Sequence, residues 1–335
     1  MSISPALAGS AKEFVFTEAP FASCHASTVV ELRNGVLMAA WFGGTAEGKP
    51  DVAIWASERS SNGWSAPKEM VREPGTPTWN PVLFYAANGR LWLYYKFGPS
   101  PSSWTAGRRW SDDDGKTWSA VEHLPAGILG PIRAKPLLLP DGIVAGSSIE
   151  SYHSWAVWIE RSTDNGESWT KYGPVTAPPA SVRPPGKTSG IIQPSIVPIE
   201  GNRLRLYARS THDIGRICIA DSLDGGETWT RTRALELPNP NSGIDAARLP
   251  DGRIVLIYND SLSSRTPLNL AVSSDGEHFR NFETLEDEPG EYSYPAMIVG
   301  KDGDLHITYT WNRKRIRYAR ISPSQIPRVQ DDPVK

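Results

Sequence analysis

Ser222-Leu223-Asp224-Gly225-Gly226-Glu227-Thr228-Trp229 carries the skeleton Ser-x-Asp-x-Gly-x-x-Trp. The skeleton returns at Ser111, Asp113, Gly115 and Trp118, and again at Ser162, Asp164, Gly166 and Trp169. A shortened copy lies at Ser273, Asp275, Gly276 and Phe279, and an eroded one at Ser57, Gly63 and Trp64. Copies recur about every 50 residues, the period of propeller blades and similar arrays. The physics of each copy is local. The aspartate folds its carboxylate back onto N–H groups of the turn, and the glycine takes the positive φ the turn needs. The tryptophan then leaves the hairpin and can bury its ring between neighbouring sheets. A calcium loop would need further oxygen ligands, which these turns lack.

Between copies the chain reads as strands. Six short apolar strands open at His25-Ala26-Ser27, Asn80-Pro81-Val82, Lys135-Pro136-Leu137, Gln193-Pro194-Ser195, Asp245-Ala246-Ala247 and Tyr294-Pro295-Ala296. A turn pair follows each: Asn34-Gly35, Asn88-Gly89, Asp141-Gly142, Gly201-Asn202, Asp251-Gly252 and Asp302-Gly303. Such pairs between apolar runs signal hairpins. Second strands are expected at 36–42, 91–97, 204–209, 254–259 and 305–311, and third strands at 217–222 and 268–273. The count predicts an all-β chain of six four-stranded antiparallel units, a six-bladed β-propeller. The whole chain, 1–335, reads as one domain, with blades near 25–75, 80–128, 134–178, 192–238, 244–287 and 292–322. The last unit lacks a strand, which the segment 14–18 would supply. Residues 323–335 read as a loosely held polar tail.

Composition narrows the function. A net charge of -2 gives no electrostatic footprint for nucleic acid. With only 2 cysteines, Cys24 and Cys218, no disulfide framework is expected. The first twelve residues show no basic start followed by an apolar run, and no apolar stretch reaches membrane-spanning length. The expectation is a cytoplasmic protein without membrane or nucleic-acid partners. No HExxH, CxxC pair, P-loop or dinucleotide glycine motif occurs, so neither a metal nor a nucleotide cofactor is expected.

A proline near a strand's start is tolerated because the lost N–H lies at the edge of the ladder. Inner strands of a propeller begin close to its axis. His25, Asn80, Lys135, Gln193, Asp245 and Tyr294 should therefore crowd one mouth of the ring. All six are polar, which points to ligand binding; solvation of a wet funnel is the alternative.

With these elements in order, the chain resembles the sialidase (neuraminidase) superfamily, in particular bacterial BNR/Asp-box propellers, from His25 to Ile321. Arg209, ending Leu204-Arg205-Leu206-Tyr207-Ala208-Arg209, resembles the second arginine of the sialidase carboxylate-binding triad. Arg265, ahead of Leu268-Asn269-Leu270-Ala271-Val272-Ser273, resembles the third. Gly290-Glu291-Tyr292-Ser293 resembles the segment of the nucleophilic tyrosine, which would be Tyr292. Two positions depart from the pattern. His25 stands where the first arginine is expected, and Gln193 where a glutamate would activate the tyrosine. The acid/base residue is expected on the loop 43–51, as Glu47 or Asp51.

The chemistry these residues imply concerns an acidic sugar. A carboxylate nucleophile would be repelled by a carboxylate on the anomeric carbon, whereas a phenol is not; sialidases use a tyrosine. Arginines grip carboxylates through planar paired hydrogen bonds. Arg133, Lys135 and Lys96 add positive charge for further anionic groups, or pair with glutamates such as Glu150. An unperturbed tyrosine has a pKa of about 10 and needs nearby cations or a base such as His25. Tyr294 is the competing tyrosine. Trp41, Phe42, Trp79 and Trp311 lie near strand ends where sugars stack, or else pack in the core. Three functions follow. The resemblance implies an exo-acting glycosidase that releases a terminal acidic sugar. The alternatives are a lyase or other glycosidase on uronate-containing glycans, with His25 or Tyr292 as base, and a carbohydrate-binding propeller without catalysis.

Overall fold

Asparagine and aspartate fold this chain into hairpins by a repeated device. Asn34 Oδ1 accepts the N–H of Val36 at 3.0 Å, Asn88 that of Arg90 at 3.1 Å, Asp251 that of Arg253 at 3.2 Å, and Asp302 that of Asp304 at 3.0 Å. Each side chain thus mimics a backbone turn while the following glycine takes a positive φ. The structure, a computed structural model, describes residues 11–151, 153–178 and 188–328.

The strands form antiparallel sheets in chain order. The first contains Ser23–Glu31, Leu37–Gly44 and Ala53–Ser60, with Gly63–Trp64 and Lys68–Val71 on the last of these. Thr78–Tyr85, Leu91–Phe97, Thr105–Ser111 and Glu122–His123 make the second. An 8-stranded sheet follows. Its halves begin at Leu137–Leu139 and Ser189–Pro198, and they join through a short parallel pairing of Ser154 with Ser189 and Trp155 with Gly190. Asp245–Arg248, Ile254–Asn259, Leu268–Ser273 and Arg280–Glu286 form the next. The last contains Tyr292–Val299, Leu305–Trp311 and Arg315–Ile321, with Ala11–Phe14 added at its edge. Among the described residues the one helical turn is Pro323–Gln325, and no helix is long and apolar enough to cross a membrane.

Apolar clusters lie between sheets that follow one another in the chain. Phe42, Ile54 and Val71 pack on Leu83, Leu93 and Tyr95; Val82 and Phe84 pack on Ile143. Val144 and Ile159 pack on Leu204 and Leu206, Tyr207 on Leu256 and Tyr258, and Val255 and Leu270 on Ile307 and Tyr309. One cluster joins the last sheet to the first, through Ile316 and Tyr318 against Leu37, Trp41 and Trp55.

The repeated turns hold these sheets at a fixed spacing. Ser222 Oγ donates to Asp224 Oδ1 at 2.8 Å and accepts the Gly226 N–H at 2.8 Å, and Asp224 Oδ1 accepts the Thr228 N–H at 2.9 Å. The same bonds recur around Asp113, Asp164 and Asp275. The glycine is needed twice over. Gly226 has φ 96°, and a Cβ there would lie 3.1 Å from Val144 in the first half of the 8-stranded sheet. Gly115 likewise sits against Met38, and Gly276 against Tyr207.

Burial alone would raise the Asp224 pKa, but the bonds from Thr228, Ser222 and Glu227 hold it at about 2. Asp224→Ala is expected to cost about 1–2 kcal/mol in urea unfolding at neutral pH. Because the folded pKa is depressed, this stabilisation is present above the unfolded value of about 3.9. It is lost as pH falls through about 2. The gap between wild type and variant should therefore narrow in acid.

The start of the tail differs from expectation. Ile326 is buried, and Arg253 donates to the carbonyls of Ile326 and Pro327, which docks 323–328 onto the body. Residues 329–335 and 1–10 lie outside the described part. The added edge strand spans Ala11–Phe14, not 14–18, with Phe14 opposite Arg317.

Candidate active site

Four strand openings carry a residue in the left-handed region next to a register shift. Ala26 has φ 55°, Asn80 35°, Gln193 53° and Tyr294 52°, and the shifts fall at His25/Thr28, Trp79/Val82, Ile192/Ser195 and Ser293/Ala296. Such a bulge re-aims a side chain and interrupts the alternation of faces. Two of these, Gln193 and Tyr294, meet, and His25, next to Ala26, joins them. Tyr294 accepts hydrogen bonds at its phenol oxygen from Arg209 Nη1 at 2.7 Å and from Gln193 Nε2 at 3.2 Å. Its ring centroid lies 4.1 Å from that of His25. Asn80 is buried on the corresponding bulge of the second sheet.

Arginines surround the Tyr294 ring. The guanidinium carbons of Arg133, Arg209 and Arg265 lie 5.4, 5.6 and 5.8 Å from its centroid. Arg209 donates to Asn241 Oδ1 at 2.8 Å and to Gln193 Oε1 at 3.1 Å, with its guanidinium over Trp155. Arg265 donates to Glu291 at 2.9 Å. Arg313 donates to the same Glu291 oxygen at 2.7 Å and also pairs with Glu47. Arg133 is 1% exposed and bonds the carbonyls of Ile244 and Pro295. Among the described residues no carboxylate forms an ion pair with Arg133 or Arg209. Both guanidiniums are thus buried without a directly bonded carboxylate, Asp245 and Glu150 acting on them only from a distance, a costly arrangement that an arriving anion would relieve.

The Gln193 amide has its direction fixed by charge. Its oxygen must face the Arg209 N–H, so its nitrogen donates to Tyr294. A glutamate there would accept the phenol proton; this glutamine cannot. His25 is held neutral. Burial first, then Arg313, Arg265, Arg209 and Arg133, drive its pKa well below the usual histidine range. Glu150 also borders the site, and burial raises its carboxyl pKa against the opposing pull of Arg209.

Other residues expected at the site stand elsewhere. Tyr292 is buried in the apolar cluster with Leu268, Met297 and Ile307. Burial, with Glu286 and Glu288, raises its pKa, the wrong direction for a nucleophile. In a regular strand Tyr292 and Tyr294 would share a face; the bulge at Tyr294 separates them. Lys96 is buried between sheets and donates to the Pro131 carbonyl at 2.8 Å. Burial, opposed by Glu160, drives its pKa down to about 7. Lys135 and Asp245 bond each other at 3.1 Å, so each already has a charged partner. Asp51 accepts the Thr45 N–H and hydroxyl, both at 2.8 Å. Burial opposes the shift, but these bonds lower its pKa, which disfavours a proton donor; Glu47 is the loop acid that reaches the cluster. Phe42 meets the His25 ring edge-on and touches Trp79, whereas Trp41 stacks on Phe16 in the core and Trp311 packs on Phe14.

Sequence reading missed Arg313, Glu291, Asn241 and Trp155. Arg313 sits in the hairpin turn after Leu305–Trp311, where Asn312 and Arg313 have φ 51° and 57°. Asn312 is a residue type that favours turns, but nothing in the sequence marks the arginine after it.

A family model described as a BNR repeat-like domain matches residues 35–307. A sialidase of Micromonospora viridifaciens is 30% identical over 188 residues, which are 55% of this chain and 28% of that protein. The chain thus spans well under half the length of that curated relative. Among solved structures, a protein of unknown function from Dyadobacter fermentans superposes with a TM-score of 0.76 at 16% identity, covering 92% of this chain and 97% of that one. The NanB sialidase of Streptococcus pneumoniae gives 0.74 at 13% identity, covering 94% and 71%. The intramolecular trans-sialidase of Ruminococcus gnavus gives 0.73 at 14% identity, covering 95% and 98%. The structural likenesses establish the all-β propeller fold, and the matched family model establishes kinship: the chain belongs to the BNR repeat-like domain family and is a sialidase-like BNR repeat protein.

Proposed function

We propose that this protein is an exo-acting glycoside hydrolase that removes a terminal acidic sugar, sialic acid or a relative, with Tyr294 as nucleophile. One observation carries the reading: Arg133 and Arg209 converge on Tyr294 without carboxylate partners of their own. A substrate carboxylate would supply the missing charge on Arg209, with Arg265 and Arg313 beside it. The clusters that link each sheet to the next, and the last to the first, support closure as a six-bladed ring around this mouth.

The phenol sheds its proton to solvent, since Gln193 donates rather than accepts. Arg209 and Gln193 then hold the oxyanion. The phenolate attacks the anomeric carbon as the bond to the aglycone oxygen breaks, and the Glu47 carboxyl protonates that oxygen. Water then attacks the anomeric carbon, Glu47 takes its proton, and the phenolate leaves.

Gln193 also favours a second reading, a carbohydrate-binding propeller without turnover, because an amide that donates to the phenol stands where a carboxylate would activate it. The lyase reading loses Tyr292 as its base. A fluorogenic aryl α-sialoside with product analysis separates these. Free sugar acid supports the hydrolase. Saturable binding without product supports the binding module, and an unsaturated product supports the lyase. For the hydrolase, Arg209→Met should raise KM about 30- to 150-fold, the loss of a charge-assisted bond worth about 2–3 kcal/mol. It should also lower kcat, because the phenol loses its donor. Unchanged kinetics in Arg209→Met would remove the carboxylate contact from the scheme.

A further inference from the structure

We infer that His25 is a specificity-determining residue, presenting an uncharged Nε2–H donor to a neutral oxygen of the bound sugar. The inference rests on reading the Tyr294 mouth as the sugar site. Its geometry stands independently of that reading.

The tautomer follows from hydrogen-bond satisfaction. His25 Nδ1 lies 3.0 Å from Thr310 Oγ1. The same oxygen accepts the Ala26 N–H at 3.2 Å. Among the described residues these are the partners of the Thr310 hydroxyl. A backbone N–H only donates, so the hydroxyl proton goes to Nδ1. Nδ1 is then an acceptor and the ring proton sits on Nε2. Nε2 is buried without a partner, in a side chain 2% exposed. An unpaired buried donor costs about 1–3 kcal/mol, which an acceptor on a ligand would recover.

The surroundings say what kind of acceptor. The His25 ring lies against the Tyr294 ring, where the sugar would sit, and is braced edge-on by Phe42. The titratable groups facing it are Tyr294 and the arginines 133, 209, 265 and 313, with Glu291 and Glu47 held on Arg313, whereas Cys24 beside it packs in the core with Phe16 and Trp41. The arginines already provide the charged donors for a carboxylate. A single neutral donor adds nothing comparable there but discriminates hydroxyl or ether oxygens, since a site built for such a bond rejects a ligand lacking it.

The test has a spectroscopic arm and a kinetic arm. In the full-length protein with 15N-labelled histidine, His25 is assigned by its loss in His25→Gln. Its resonances should show the neutral Nε2–H form throughout about pH 6–8. The Nε2 signal should move when free sialic acid is added. Thr310→Val should mix the tautomers and raise KM for the aryl sialoside about 3- to 10-fold with kcat nearly unchanged. Thr310→Ser should restore both. An Nδ1–H form, an imidazolium, or an Nε2 signal unmoved by sialic acid overturns the inference. If sialic acid moves the signal but no substrate is turned over, the His25 contact stands and the hydrolase reading falls.

Discussion

Tyr294→Phe is expected to abolish sugar release, lowering kcat by about 10³-fold or more, while Tyr292→Phe leaves it within about threefold. The two tyrosines are two residues apart on one strand, and the difference comes from the bulge between them. Phenylalanine at 294 keeps the ring that packs on His25 and lies under three arginines. It removes only the oxygen that Arg209 and Gln193 hold. Folding and sugar binding should survive, so circular dichroism and calorimetric binding stay near wild type while turnover vanishes. At 292 the same change acts inside the apolar cluster with Leu268 and Ile307, and the backbone bond from its N–H to the Arg265 carbonyl is unaffected. Stopped-flow measurement with the aryl sialoside sharpens the comparison. Wild type should release aglycone through a covalent sugar–Tyr294 intermediate that Tyr294→Phe cannot form. An active Tyr294→Phe beside an inactive Tyr292→Phe would reverse the assignment.

That contrast shows where sequence reading succeeds and where it stops. The Ser-x-Asp turns were legible because their bonds are local: Asp224 reaches N–H groups within four residues of itself. Hairpin turns were legible for the same reason. Four strand openings were legible through their prolines and all six through the polar residue that begins an apolar run, and His25, Gln193 and Tyr294 do meet. The face a side chain occupies after an opening was not legible. A left-handed residue at Tyr294 shifts the register by a step that no residue type announces. Ion pairing was not legible either. Lys135 and Asp245 look like free site residues until the fold brings them within 3.1 Å. Arg313 entered the site from a hairpin turn of the last sheet, where it pairs with Glu291, and its pairing with Glu47 depends on how the last sheet meets the first.

Asp245→Ala should be among the most destabilising single changes in the molecule, costing about 3–5 kcal/mol. Asp245 is buried and completely occupied. Lys135 Nζ bonds both its oxygens, Ser195 Oγ donates to it at 2.6 Å, and the Met297 N–H does so at 2.8 Å. Those partners come from different sheets, so one carboxylate ties successive units together beneath the Tyr294 mouth. Removing it leaves the Lys135 ammonium without its counter-charge and with the Ala246 carbonyl as its acceptor, leaves the Met297 N–H without its partner, and removes the negative charge acting on the buried Arg133. Asp245→Asn keeps the shape and part of the bonding but not the charge, and should cost less. Lys135→Met strands the carboxylate, yet Ser195 and Met297 still donate to it, so its cost should be smaller than that of Asp245→Ala. The double variant Lys135→Met with Asp245→Asn should recover part of the loss, because neither charge is then left unpaired. Urea unfolding of all four proteins measures these differences. A cost below about 1 kcal/mol for Asp245→Ala would mean that packing between sheets, rather than this ion pair, holds the axis together.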